Sequence, residues 1–571
     1  MIFKRPKNIV ITAKGSDHRR CSQFKGMGAL LLASLLTLTG CESINQFSDD
    51  LVELGRGAVQ FDTFDPESFK GGLATDEPHA ALAGRDVLEA GGNAVDAATA
   101  IYFNLAVTMP STAGLGGGGV CIVHDAQSNE TKVLQFLAKA GQNDNQGRRA
   151  NAVAANLAGF HALHARYGRL PWAQLVAPAE GLARFGVKVS RAFSHDLKKI
   201  GDALLVEPDA RRIFGRPVVG GLLQEGDKWI QPNLANVLGS IRESGAAALY
   251  RQPGADNFAA AVNAGGGALS ASDLINFKPV WRNPIQVPLG DISVHFAPPP
   301  AAGGAVAAEM LAMMLDNRRF NESPPDVRPH LIIETAIRAY GDRSRWMRPD
   351  GESSVESFDL VSASRLAPLM STYNPDSHVP ASSLNPAPVE MREDPSATTF
   401  AVMDGDGAGI ACALTMNGLF GNGLIAKGSG ILMAAAPGSG GRGPVSLGPM
   451  LAVDHFTNDF FFAGAAAGGV TAPTSLISVA MSTAVNVEGL ESAMQAKRLH
   501  NSGNPDIVYY EQGYDEAAIE VLISKGHTVA ATPSLGRVNA VGCLQGLPFD
   551  PNSCEAVTDP RGYGLGLKID Q

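Results

Sequence analysis

Apolar positions change their period along this chain. From about residue 71 to 370 they recur mostly at helical spacing, broken by short alternating runs such as Ile285-Gln286-Val287 and Ile292-Ser293-Val294-His295-Phe296. Val95, Ala98, Ile101 or Tyr102, and Leu105 fall on one face of a predicted helix. Gly91-Gly92 can end the helix before it, and Asn93 with Asp96 three residues on can cap it. Ala94, Ala97, Ala98 and Ala100 keep it thin enough for close packing. Residues 374–397 carry Pro, Ser and Asn without an apolar period, which predicts an exposed linker. Beyond them strands take over. Phe400-Ala401-Val402-Met403-Asp404 and Ile410-Ala411-Cys412-Ala413-Leu414-Thr415 flank Gly405-Asp406-Gly407, a hairpin signal.

The glycines at 114 and 116–119 do not form a phosphate loop. Such a loop lies between a strand and a helix N-terminus, so that backbone N–H groups face the phosphate. Here an apolar helical stretch precedes the glycines and Val120-Cys121-Ile122-Val123, a β-branched run, follows them. The net charge of −10, from 46 basic and 56 acidic residues, together with the lack of a basic run interleaved with aromatics, argues against a nucleic-acid partner. With 45% hydrophobic and 18% charged residues, the chain is globular and slightly charge-poor.

Basic residues from Lys4 to Lys25 precede an apolar run at 29–38 that is too short to span a bilayer and has the dimensions of a signal peptide. It ends in Leu38-Thr39-Gly40-Cys41, which resembles a bacterial lipobox and implies cleavage before Cys41 and lipidation of its thiol. The sequence therefore predicts an export signal over 1–40, a tether over 41–70 and a lipid anchor on the periplasmic side of a bacterial membrane. Of the other cysteines, Cys543 and Cys554 could bridge in an oxidising compartment, whereas Cys121 and Cys412 sit in apolar strand patterns and read as buried thiols. No Cys/His spacing suggests a metal site, no cofactor motif is present, and His161 and His164 read as surface residues on one helix.

One ordered set of motifs says more. Gly91-Gly92-Asn93-Ala94-Val95-Asp96-Ala97-Ala98, Leu105-Ala106-Val107-Thr108-Met109-Pro110, Gly114-Leu115-Gly116-Gly117-Gly118-Gly119, Tyr167-Gly168-Arg169-Leu170-Pro171-Trp172, Pro298-Pro299-Pro300-Ala301-Ala302-Gly303-Gly304 and Asp559-Pro560-Arg561 together resemble the γ-glutamyltransferase (glutathione hydrolase) family. The resemblance implies an α/β (α+β) fold, the four-layer αββα sandwich of the N-terminal-nucleophile hydrolases. It implies a large-subunit-like region over 71–373 and a small-subunit-like region over 398–571. Family members cut themselves before a threonine, whose hydroxyl then attacks an amide while the freed α-amino group takes its proton.

At that position this chain reads Ser396-Ala397-Thr398-Thr399-Phe400. Aligned without a gap from Asp404, Gly407, Thr415 and Asn417, the nucleophile position holds Ala397; a one-residue deletion brings Thr398 into it. If Gly405-Asp406-Gly407 is a three-residue loop, Thr415 lies opposite Ala397 and Thr398 points to the other face; with a two-residue loop Thr398 shares the face of Thr415. A bulge at the strand start would reverse this parity. By resemblance, Thr415 supports the nucleophile, Asn417 and Ser446 bind substrate, and Gly468 and Gly469 form the oxyanion hole. Leu137 stands where an arginine would hold the substrate's α-carboxylate. Ala434-Ala435-Ala436 stand where Asn-Asn and an aspartate would hold its ammonium.

Two functions follow. One is a self-cleaving amide hydrolase or acyltransferase using Thr398 on a small-molecule amide or γ-glutamyl-type substrate, altered at its head group. The alternative is a catalytically inactive family member with a binding or scaffold role in the cell envelope.

Overall fold

The computed structural model describes residues 69–142, 149–384, 392–393, 396–438, 442–443, 446–484 and 488–570. The export signal, Cys41 and most of the tether lie outside the described residues.

The strands of the two large sheets are numbered in chain order: β1 (Phe69–Thr75), β2 (Gly118–Asp125), β3 (Glu130–Phe136), β4 (Val280–Arg282), β5 (Ile285–Leu289), β6 (Ile292–Phe296), β7 (Ala397–Asp404), β8 (Gly409–Thr415), β9 (Met450–Asp454), β10 (Asp459–Ala467), β11 (Arg537–Leu547), β12 (Cys554–Thr558) and β13 (Leu565–Asp570). One sheet runs β13-β1-β7-β8-β2-β3-β4 and the other β12-β11-β10-β9-β6-β5. Helices α1 (Pro78–Glu89) and α2 (Ala94–Thr108) cover the outer face of the first sheet, while α3 (Ala302–Leu315), α4 (Arg328–Trp346) and α5 (Ala472–Ala484) cover that of the second. The inner faces of the sheets meet through β7, β8, β10 and β11. This is the N-terminal-nucleophile sandwich.

The motif around Asn93 does what its residues predict. Asn93 and Asp96 form a reciprocal capping box at the start of α2. The helix differs from the one-face pattern in that every residue from Ala94 to Thr108 is buried. Its five alanines allow approach on all sides, which makes it the central rod of the outer layer rather than an amphipathic surface helix. Among the described residues no helix is long and apolar enough to cross a membrane.

Three readings of the sequence need correction. Cys121 and Cys412 are not free thiols: they are directly opposed in the β8–β2 ladder and form a disulfide. Cys543 and Cys554 are likewise opposed between β11 and β12 and bridged. The stretch read as an exposed linker is partly packed: residues 381–384 form a 3-10 turn with Ala381 buried, and Ala397 is already the first residue of β7. His161 and His164 are half-buried against Trp172, and His164 Nε2 bonds the Leu170 carbonyl.

Candidate active site

The β7–β8 hairpin sets the geometry of the candidate site. The backbone N–H of Asp404 donates to the Ala408 carbonyl at 3.0 Å, closing a loop of Gly405, Asp406 and Gly407. Gly407 has φ +90°, the left-handed position that this loop requires. The Asp404 carboxylate stiffens the turn by accepting the N–H groups of Ala94, Asp406 and Ala408, and burial pushes its pKa up to about 6. From this loop the register runs without a bulge, pairing Met403 with Gly409, Thr399 with Ala413, Thr398 with Leu414 and Ala397 with Thr415.

The alternation of a strand then decides which side chains share a face. Thr398 lies on the face of Phe400, Val402 and Leu414, which pack into the helical layer. Its hydroxyl is fully buried and donates to Asp76 Oδ2 at 2.9 Å. Ala397 lies on the opposite face with Thr415. Thr415 Oγ1 donates to the Ser396 carbonyl at 3.2 Å and accepts the Asn417 N–H at 2.9 Å.

Asp76, which the sequence did not single out, gathers the start of β7. Besides Thr398 it accepts the Thr399 N–H at 3.2 Å and the Asn539 amide at 3.0 Å. The Arg537 guanidinium lies 3.9 Å from it and donates to the Ala397 carbonyl at 3.2 Å. The Asp76 charge raises the Arg537 pKa above its ordinary value. The signal for Asp76 was its place just ahead of α1, which reads equally as a helix-start acid; only the fold brings it to a strand 322 residues away.

The remaining predicted residues fall around this hairpin. Asn417 has φ +55°, and its Nδ2 donates to the carbonyls of Ala138 (3.3 Å) and Ala435 (3.0 Å). It thus joins the segment after Leu137 to the Ala434-Ala435-Ala436 segment. Leu137 is buried, and so are Ala434, Ala435 and Ala436, whose backbones are fixed to Gly116, Met416 and Ala150. Of the cations nearby, Arg149 pairs with Glu207 at 2.5 Å, Lys139 is exposed, and Arg148 lies outside the described residues. Gly468 and Gly469 form the turn from β10 into α5. A side chain on Gly468 would lie 2.6 Å from Thr471 Oγ1 and 2.8 Å from the Gly536 backbone. Ala467 beside them pairs with Arg537, which reaches Ala397. Ser446 is buried, and its carbonyl would lie 2.3 Å from a Cβ on Gly303, which explains the small residues of the Pro298–Gly304 motif. Asp559 and Arg561, the last matched motif, belong to a buried ionic cluster with Arg498 and Glu511.

Along Phe136-Leu137 a cleft of about 310 Å³ opens, lined by Phe136, Leu137, Lys139 and Val153 on one side and by the Arg282–Glu352 ion pair on the other.

A site frame of this kind, built on the hairpin and on the glycine turn after β10, has a known family behind it. The model of gamma-glutamyltranspeptidase matches residues 80–568. The chain belongs to the gamma-glutamyltranspeptidase family. It is similar to a glutathione hydrolase proenzyme of Escherichia coli (strain K12), 28% identical over 553 residues that span 88% of this chain and 94% of the relative. A glutathione hydrolase proenzyme of Pseudomonas aeruginosa is 27% identical over 549 residues, 87% of this chain and 94% of that one. Among solved structures, a cephalosporin acylase from Bacillus halodurans shares the fold, with a TM-score of 0.74 at 24% identity over 88% of this chain and 96% of that one. The family frame is thus present over most of the chain.

Proposed function

We propose that this chain is a family member that neither cuts itself nor transfers a γ-glutamyl group, and that it serves as a binding protein held at the envelope by lipidated Cys41. The observation that carries this reading is the hairpin register. It puts a methyl group at position 397 on the face of Thr415, and the hydroxyl of the next residue, Thr398, is bound to Asp76. A nucleophile must reach the substrate and the groups that assist it. The Thr398 hydroxyl is fully buried, off the face of Thr415, and its proton is held by Asp76 at 2.9 Å.

Substrate recognition points the same way. A zwitterionic glutamyl head carries one ammonium and one carboxylate, and the walls formed by Leu137 and Ala434-Ala435-Ala436 offer neither a charge of opposite sign. We assign the binding role to the cleft beside Leu137, with its apolar wall and charged rim, and to a small molecule without a free glutamyl head. The test uses the purified full-length chain with glutathione and a chromogenic γ-glutamyl anilide. The expected result is no release of glutamate or aniline above the uncatalysed rate; turnover that disappears in Thr398→Ala would overturn the reading. Replacing Cys41 by Ala should move the chain from the membrane to the soluble fraction of the cell envelope.

A further inference from the structure

A group of buried imidazoles lies away from the hairpin, where the sequence offered no metal-ligand spacing. Helix α4 places His330 and Glu334 one turn apart on one face. His527 follows the helix Glu516–Ser524, with its backbone N–H held by the Leu522 carbonyl. His330 Nδ1 lies 2.7 Å from His527 Nε2, and His527 Nε2 lies 3.9 Å from Glu334 Oε1. One ligand atom from each of these three buried residues lies within 4.8 Å of the other two. His378 adds a third ring: its Nδ1 is 2.7 Å from Glu334 Oε1, and its ring centroid is 4.3 Å from that of His527.

We propose that His330, His527 and Glu334, completed by His378, form a binding site for a Zn²⁺-type divalent ion. Three features of the surroundings support the assignment. His330 Nε2 faces the Asn374 carbonyl at 2.9 Å. A carbonyl only accepts, so Nε2 carries the proton and Nδ1 presents its lone pair to the site. His378 also has an acceptor on its outer nitrogen, Nε2 on Asp506 Oδ2 at 3.1 Å, while its Nδ1 faces Glu334 Oε1 at 2.7 Å, so an ion would displace the proton held there. Carbonyl and carboxylate partners on the outer nitrogen are the usual supports of metal-binding histidines. Glu334 divides its oxygens: Oε2 is held by Arg338 Nη1 at 2.5 Å, and Oε1 faces the imidazoles. His527 Nδ1, by contrast, is buried without a hydrogen-bond partner, so this ring lacks the outer support that His330 and His378 have.

The donor chemistry selects the ion. Three imidazole nitrogens and one carboxylate oxygen suit Zn²⁺, Co²⁺ or Ni²⁺, whereas Ca²⁺ and Mg²⁺ need mostly oxygen ligands. Zn–N bonds of about 2.0–2.1 Å in a tetrahedron separate the two nitrogens by roughly 3.3 Å, so His330 and His527 would part by roughly 0.6 Å. His378 would bring Nδ1 from Glu334 to the ion. With four protein ligands the site is closed, and its role is structural. It fastens α4, the segment after Asn374 and the turn at His527 to one another, just ahead of the strand that begins at Ala397.

Metal content of the detergent-solubilised full-length chain, followed by chelation and titration with Zn²⁺ alone, tests the site. We expect one equivalent bound, a rise in thermal midpoint on adding Zn²⁺, and at least a tenfold weaker Kd in His527→Gln. Co²⁺ should give the visible bands of a tetrahedral complex, and His527→Cys should retain binding while adding a thiolate-to-cobalt charge-transfer band. If His527→Gln fails to fold, the Co²⁺ spectrum of the unaltered chain and its change in His527→Cys decide. A chain that takes up no stoichiometric ion, or a Co²⁺ spectrum identical in His527→Cys, overturns the proposal and leaves a hydrogen-bonded histidine cluster.

Discussion

Ala397 lies directly opposite Thr415 in the β7–β8 ladder, so the position that faces this threonine holds a methyl group. Thr398, one residue on, is turned away and bound to Asp76. Loss of its hydroxyl removes one buried hydrogen bond and leaves Asp76 Oδ2 with the Thr399 N–H. Thr398→Ala should therefore cost about 1–3 kcal/mol in denaturant unfolding and leave the chain's covalent state unchanged. An effect on cleavage without one on stability would contradict the assigned role.

Restoring a hydroxyl at the face of Thr415 should not restore γ-glutamyl chemistry. Each missing charge-assisted contact to the substrate head is worth about 1.5–3 kcal/mol, so two cost about two to four orders of magnitude in kcat/KM. Ala397→Thr should thus fall at least a hundredfold short of an active family member on a γ-glutamyl anilide. Full activity in that variant would show that Leu137 and Ala434-Ala435-Ala436 do not limit recognition.

The Cys121–Cys412 bridge joins strands 291 residues apart in sequence. Its loss should cost about 2–5 kcal/mol, whether through a larger unfolded ensemble or through lost native contacts. The check is the unfolding midpoint of Cys121→Ala/Cys412→Ala against the unaltered chain under non-reducing conditions. An unchanged midpoint would contradict it.

Acid should destabilise the fold through buried neutral imidazoles. Burial lowers the pKa of His500 and His124 to about 4 and that of His295 to about 3. The unfolded chain binds protons at these residues below about pH 6.5, and the folded chain does not. Their stabilisation is complete above pH 6.5 and is lost as pH falls toward 4, by up to about 3 kcal/mol for a single group. Unfolding free energy measured from pH 7 down to 4.5 should fall, and His500→Gln should flatten the slope. A slope equal in the variant would rule His500 out as a contributor.

How far the sequence reached follows from the range of each interaction. The hairpin register was legible because Gly405-Asp406-Gly407 is a local turn with one position for the left-handed glycine, and parity then fixes every side chain on β7. The capping box at Asn93 was legible for the same reason. The Cys121–Cys412 bridge was not, because strand patterns place each cysteine in the core without giving the register of β8 on β2. Asp76 meets Thr398 from the end of the neighbouring strand β1, Asn539 meets Thr399 from the other sheet, and His330 meets His527 across 197 residues. The stretch after Asn374 looked exposed by composition, yet His378 bonds Glu334 and Asp506 there, and ionic pairs leave no apolar period to read.

The most direct measurement of the central claim is the covalent state of the full-length chain, read by a denaturing gel with intact mass and N-terminal sequencing of each band. The account predicts one uncut polypeptide after export, stable on prolonged incubation. Two fragments, the smaller beginning at Thr398, would contradict it.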